Sequence, residues 1–102
     1  MTPADEHYEV YAIRYASMPR RRSQNFLPPD AHDGPMPMDF FVWLIKSGAR
    51  SILVDTGFSA ATGLERERNF LRCPIQALVA LGVAPGQVHD VVLTHLHYDH
   101  AG

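Results

Sequence analysis

Cysteine is nearly missing from this 102-residue chain: Cys73 stands alone, so there is no internal disulfide and no Cys-x-x-Cys pair for a metal or redox role. A reducing cytoplasm is the expected compartment. Long apolar runs are missing too. The longest, Phe40-Phe41-Val42-Trp43-Leu44-Ile45, falls far short of the ~20 residues that cross a bilayer, so no membrane partner is expected. Charge of one sign is not in excess. A formal net charge of -2 builds no field that would gather nucleic acid. No serine sits in Gly-x-Ser-x-Gly and no phosphate-cradling glycine loop occurs, which removes serine-hydrolase and nucleotide-driven chemistry. Repeats and low-complexity tracts are absent. Arg20-Arg21-Arg22 is followed by Pro28, Pro29, Asp30 and Asp33 where an export signal needs an apolar stretch, and reads as a solvated basic loop.

The rest of the chain alternates strand and helix patterns. Tyr8 to Ala16 places Tyr11, Ile13 and Tyr15 on one side and predicts a first strand. The proline-rich stretch from Ser17 to Pro37 keeps no period and predicts a long irregular loop. Asp39 to Lys46 predicts a strand buried on both faces, turning at Ser47-Gly48-Ala49-Arg50 into a partner strand from Ser51 to Asp55. Leu64 to Arg72 is charged and only weakly periodic. Pro74 to Leu81 predicts a helix whose Ile75, Leu78 and Val79 share a buried side, with Pro74 in the first turn and Gly82 as the stop. Cys73, just before it, reads as a buried or capping residue. Val91-Val92-Leu93 predicts a short buried strand delivering Thr94 and His95 to its carboxyl end. This order implies a layered α+β or α/β arrangement with its chemistry at strand ends.

Chemistry concentrates in His95-Leu96-His97-Tyr98-Asp99-His100, which holds three of the six histidines and a carboxylate. In an extended segment His95 and His97, at i and i+2, aim at one ion. Asp99 and His100, past the bend, diverge toward a second. Imidazole with carboxylate suits Zn²⁺, and also Fe or Mn. Crowded imidazoles and a carboxylate beside a buried strand need a cation to relieve their desolvation. The lone histidines His7, His32 and His89 read as ordinary surface residues.

These residues resemble a family. H-x-H-x-D-H preceded by Val91-Val92-Leu93-Thr94, with Leu53-Val54-Asp55-Thr56-Gly57 upstream, is similar to the metallo-β-lactamase superfamily of hydrolases. The stretch from Asn25 to Trp43 and the His-Leu-His-Tyr-Asp-His-Ala-Gly ending look most like its N-acyl homoserine lactonase branch. The resemblance implies an α+β fold in which residues 1–102 form the N-terminal half of a four-layer αββα domain, poorly folded and inactive by itself. It implies two Zn ions, His95 and His97 holding the first, Asp99 and His100 serving the second, and a bridging hydroxide that opens a lactone ring. Asp99 would orient that nucleophile or shuttle its proton. Asp55 would fix the ligand loop, although a plain strand-ending carboxylate explains it equally well.

Thr94 and Tyr98 occupy variable positions of the motif. Phe26, Leu27, Met36 and Met38 offer flexible apolar surface for an acyl chain, or simply pin the loop to the core. Other readings stay open: a thiolester hydrolase of glyoxalase II type, an iron-dependent sulfur dioxygenase, or a metal-binding fragment without catalysis. A flavodiiron enzyme would be expected to show Glu in place of His97. The implied partner is a small lactone or ester; oligomeric state is not legible.

Overall fold

A computed structural model of the protein describes residues 7–26, 32–48 and 50–102. The architecture is α+β, built on one five-stranded sheet in the order β4-β1-β2-β3-β5. Strands β1 (Glu9–Met18) and β2 (Met38–Ser47) are the long ones and pair antiparallel; β3 (Arg50–Val54) folds back on β2 through the predicted tight turn. Strand β5 (Asp90–Val92) then joins β3 in parallel, and the two-residue β4 (Asn69–Phe70) closes the other edge beside Ala16 and Ser17.

Three helices fill the connections. Helix α1 (Arg22–Asn25) breaks what the sequence predicts to be irregular loop; a bridge between Arg21 and Pro35 and the Asp33 carboxylate, which accepts from Ser23 N–H and Arg21 Nε, hold that turn together. Helix α2 (Ala60–Glu65) starts where the Ser59 hydroxyl accepts the Thr62 N–H at 3.2 Å. Its last residues, Leu64 and Glu65, run into the charged stretch in which the sequence pattern marks no element, and β4 lies within that stretch. Helix α3 (Pro74–Ala80) has Pro74 in its first turn, with Cys73 at the N-cap position.

The core lies between one face of the sheet and helix α3 with the segments around Phe58 and Val83. Ile13, Tyr15, Phe40, Val42, Leu44 and Leu53 meet Phe58, Leu78 and Val83 there. A register shift in β1 between Arg14 and Ala16 leaves both Tyr15 and Ala16 fully buried. Phe58 is the hub, with its ring 5.1 Å from Tyr15, 5.4 Å from Phe40 and 5.6 Å from Tyr98.

Three burial expectations need correction. In α3, Leu78 is buried as predicted, but Ile75 and Val79 face out, because the helix meets the sheet through Pro74 and Leu78. Strand β2 is buried on one face only. On its other face Ala12, Trp43, Val54 and Val92 stand in register across four strands, followed by Val10, Ile45 and Ile52. Trp43 is 40% and Val92 49% exposed there. Strand β5 is likewise exposed rather than buried, since it is an edge and no described element lies against that face. Among the described residues no helix is long and apolar enough to cross a membrane.

Candidate metal centre

Because β3 and β5 run parallel, the loops that leave their carboxyl ends emerge side by side. The turn Asp55-Thr56-Gly57 follows β3 and the segment Thr94 to Gly102 follows β5. Backbone bonds join them: Asp55 N–H donates to Val92 O, Thr56 N–H to His100 O and Gly102 N–H to Gly57 O, each at 2.8–2.9 Å. Asp55 takes a left-handed φ of 65° and Gly57 one of 75°. Aspartate tolerates that region better than most residues. Gly57 has a second reason to lack a side chain, since a Cβ there would stand 2.9 Å from Tyr15 Cζ. That closeness lets the Tyr15 hydroxyl pass the turn and donate to Asp99 O at 2.8 Å. Burial, first of all, pushes the Tyr15 phenol far above its ordinary value, so the hydroxyl stays a donor.

Asp55 organises the ligand loop. It is 3% exposed and accepts from Thr94 N–H at 2.9 Å, from the Thr94 hydroxyl at 3.0 Å and from His100 Nδ1 at 2.7 Å. Burial alone would raise its carboxyl. The bonds from His100 and Thr94 outweigh that and hold it below the ordinary aspartate value, as a carboxylate. A carboxylate only accepts, so His100 must carry its proton on Nδ1, leaving Nε2 facing Asp99 Oδ2 at 3.1 Å. The same logic reaches His95. The Thr94 hydroxyl spends its one hydrogen on Asp55, so its 3.0 Å contact with His95 Nδ1 requires a proton on that nitrogen. In a neutral ring that leaves His95 Nε2 as the accepting nitrogen. One buried carboxylate sets the tautomer of two imidazoles, directly and through Thr94.

The structure brings the predicted residues together, though not as two separate pairs. The His95 ring lies 4.8 Å from His97 and 3.9 Å from His100, so His100 sits against the first pair instead of diverging from it. The bend at Tyr98-Asp99-His100, where His100 N–H donates to His97 O at 3.0 Å, folds the chain back over itself. Ligands at about 2.0–2.2 Å on one tetrahedral ion stand roughly 3.4 Å apart, close to the Asp99–His100 spacing. The donor types therefore fit a divalent cation, and one donor pair has a ligand's spacing. Among the described residues no group of three His, Cys, Asp or Glu side chains is gathered to hold an ion.

Of the residues to which the sequence pattern gives no role, Thr94 and Tyr15 hold the loop. Thr94 stands next to the first histidine, a signal open to reading; Tyr15 lies 84 positions from Asp99 and gives none. Tyr98 packs on Phe58, lies under the Arg66 guanidinium and accepts from Arg68 Nε at 3.0 Å. Beside Asp99 and His100 a trough of about 260 Å³ is walled by Met38, Asp39, Phe40, Phe41 and Trp43. Of the apolar loop residues, only Met38 lines it; Leu27 lies outside the described residues.

A family model, that of the metallo-beta-lactamase superfamily, matches residues 41–102, from β2 through the whole ligand loop. The chain belongs to this superfamily. The match is to the superfamily as a whole rather than to one branch of it. A solved structure reported under "Indirect contributions of mutations underlie optimization of new enzyme function" is similar in fold to this superfamily member, with a TM-score of 0.66 and 21% identity. The likeness covers 97% of this chain and 44% of that one, so the chain spans less than half the length of that structure. No curated protein matches the chain.

Proposed function

We propose that this chain carries the amino-terminal ligands of a dinuclear metal-dependent hydrolase that opens a lactone of the N-acyl homoserine type. The observation that carries the reading is the ligand loop locked on Asp55, which brings His95, His97 and His100 against one another beside a trough. His95, His97, Asp99 and His100 would supply ligands to the ions; Zn²⁺ would be preferred, with Fe or Mn as substitutes. What such ions supply when bound is Lewis acidity toward a carbonyl and a lowered pKa for water. The chain's own residues do the rest. Asp55 and Thr94 keep Nε2 of His100 and His95 unprotonated, and Tyr15 pins the Asp99 backbone. The Asp99 carboxylate, the more exposed of the two acids, orients the attacking water and takes its proton at Oδ. Met38 and Phe41, which wall the trough, receive an acyl chain.

The uncovered apolar face of the sheet supports a matching view of the domain. Residues 1–102 form the amino-terminal part of one four-layer domain, in which that face meets a second sheet. With a single cysteine, the protein works in the cytoplasm on a small molecule. The test is an assay of the full-length protein with N-acyl homoserine lactones, metal-loaded and after chelation. Ring opening that stops on chelation and returns with Zn²⁺ is the expected result; absence of metal-dependent ring opening overturns the reading.

A further inference from the structure

At the opposite end of β3 from Asp55, where the β2–β3 turn meets the segment leading into β5, lies a second cleft of about 400 Å³. Lys46, Ser51, Val83, Gln87 and His89 line it together with three glycines, and no carboxylate does. Two of the polar side chains around it, Gln87 and His89, have their accepting atoms occupied. The Gln87 Oε1 accepts the Ala84 N–H at 2.8 Å, which fixes the amide and leaves its NH₂ for a ligand. The His89 Nδ1 accepts the Ser51 N–H at 3.2 Å, while His89 N–H donates to Ser51 O at 2.9 Å. That double link locks the ring and assigns its proton to Nε2. Lys46 Nζ spends one hydrogen on Leu81 O at 3.2 Å and keeps two. The neighbouring acid, Asp90, is tied to Arg50 at 3.1 Å.

We propose that this cleft binds the phosphate group of a small molecule. A cleft that turns the donors of Lys46, Gln87 and His89 toward its space, with one cation and no acid, favours an anionic ligand that accepts. A phosphate brings more acceptor oxygens and up to twice the charge of a carboxylate to those donors, and is therefore held more tightly. The volume exceeds that of the ion alone and admits the body of a phosphomonoester. The cleft shares no lining residue with the metal centre, so occupancy there is independent of catalysis.

The test is a two-dimensional amide NMR titration of the metal-free full-length protein with inorganic phosphate and, separately, glycerol phosphate. Acetate and chloride at matched ionic strength are the controls. Saturable shifts confined to the Gln87 side-chain amide, His89 and the amides of Gly82 and Gly86 are expected for both phosphates and for neither control. Gln87→Glu keeps an oxygen for the Ala84 N–H and places an acid in the cleft, and should weaken phosphate about tenfold or more. Lys46→Met should do the same; Gln87 is exposed, so its variant tests the site even where the lysine variant folds poorly. Shifts that acetate reproduces, that spread over the surface arginines, or that persist at the same midpoint in Gln87→Glu overturn the proposal. An absence of saturable phosphate shifts overturns it as well.

Discussion

Replacing Asp55 by Asn exchanges one oxygen for an NH₂ and should change the proton placement of a ligand one hydrogen bond away. The asparagine oxygen can still accept the Thr94 N–H, now held at 2.9 Å. Its NH₂ then stands where Oδ2 lies, 2.7 Å from a nitrogen that carries a proton. Two donors cannot share that line. The neutral His100 relieves the conflict by moving its proton from Nδ1 to Nε2, where it points at Asp99 Oδ2 across 3.1 Å and occupies the lone pair a metal would take. Loss of an orienting partner of this sort typically weakens metal binding by about 10–100-fold, or roughly 1.4–2.8 kcal/mol. The folding cost is smaller than for Asp55→Ala, because His100 keeps 28% side-chain exposure and water can serve it. About 1 kcal/mol is expected for Asn, and about 2–4 kcal/mol for Ala, which orphans both Thr94 donors as well. Chelator competition on the full-length protein gives the affinity, and nitrogen-15 shifts of the His100 ring in the metal-free protein give the tautomer. Wild-type metal affinity in a folded Asp55→Asn protein refutes the reasoning. So does a neutral His100 that carries its proton on Nε2 before any substitution.

His95→Ala or His97→Ala should each remove the first metal from the full-length protein, read by elemental analysis; a full metal complement after either change contradicts the assignment. Phe58→Ala should cost about 3–5 kcal/mol in urea unfolding, since its buried ring touches Tyr15, Phe40, Phe70 and Tyr98 and no neighbour can collapse into the space. Asp33 should titrate at about 2, below its ordinary 3.8, because the Ser23 N–H and then the Arg21 guanidinium hold its carboxylate. Its folded value is depressed, so the contact stabilises the loop above about 3.8 and is lost as pH falls through about 2. Arg21→Ala should move that midpoint part of the way back in an NMR titration and leave metal binding unchanged.

The strands and the ligand segment were legible because each rests on local pattern. Aromatic and branched residues mark β1 and β2, Pro74 and Gly82 bracket α3, and four metal-type donors within six positions mark the loop. Side-chain direction was less so. Ile75 and Val79 share a helical spacing with Leu78, yet which row faces the sheet depends on how α3 crosses it, and that is a tertiary fact. The sequence pattern places Asp99 and His100 past a bend and has them diverge from His95 and His97. A hydrogen-bonded bend at 97–100 stacks His100 on His95 instead. Tyr15 could not be found from sequence, since its hold on Asp99 depends on a strand irregularity and on the bare Cα of Gly57.

Asp55 shows why the two motifs belong together. A carboxylate that merely ended a strand would face water and could be replaced cheaply. This one is buried, sits in a left-handed conformation that few residues tolerate, and spends its acceptors on Thr94 and His100. Desolvating a charge in a strained turn lowers stability, and a fold free to choose would place a neutral group there. What the burial secures is orientation: two imidazoles fixed directly and through Thr94, anchored to the sheet through parallel strands β3 and β5 that end at one edge. The proposed metal centre gives that orientation a use, since an ion would take the outer ring nitrogens.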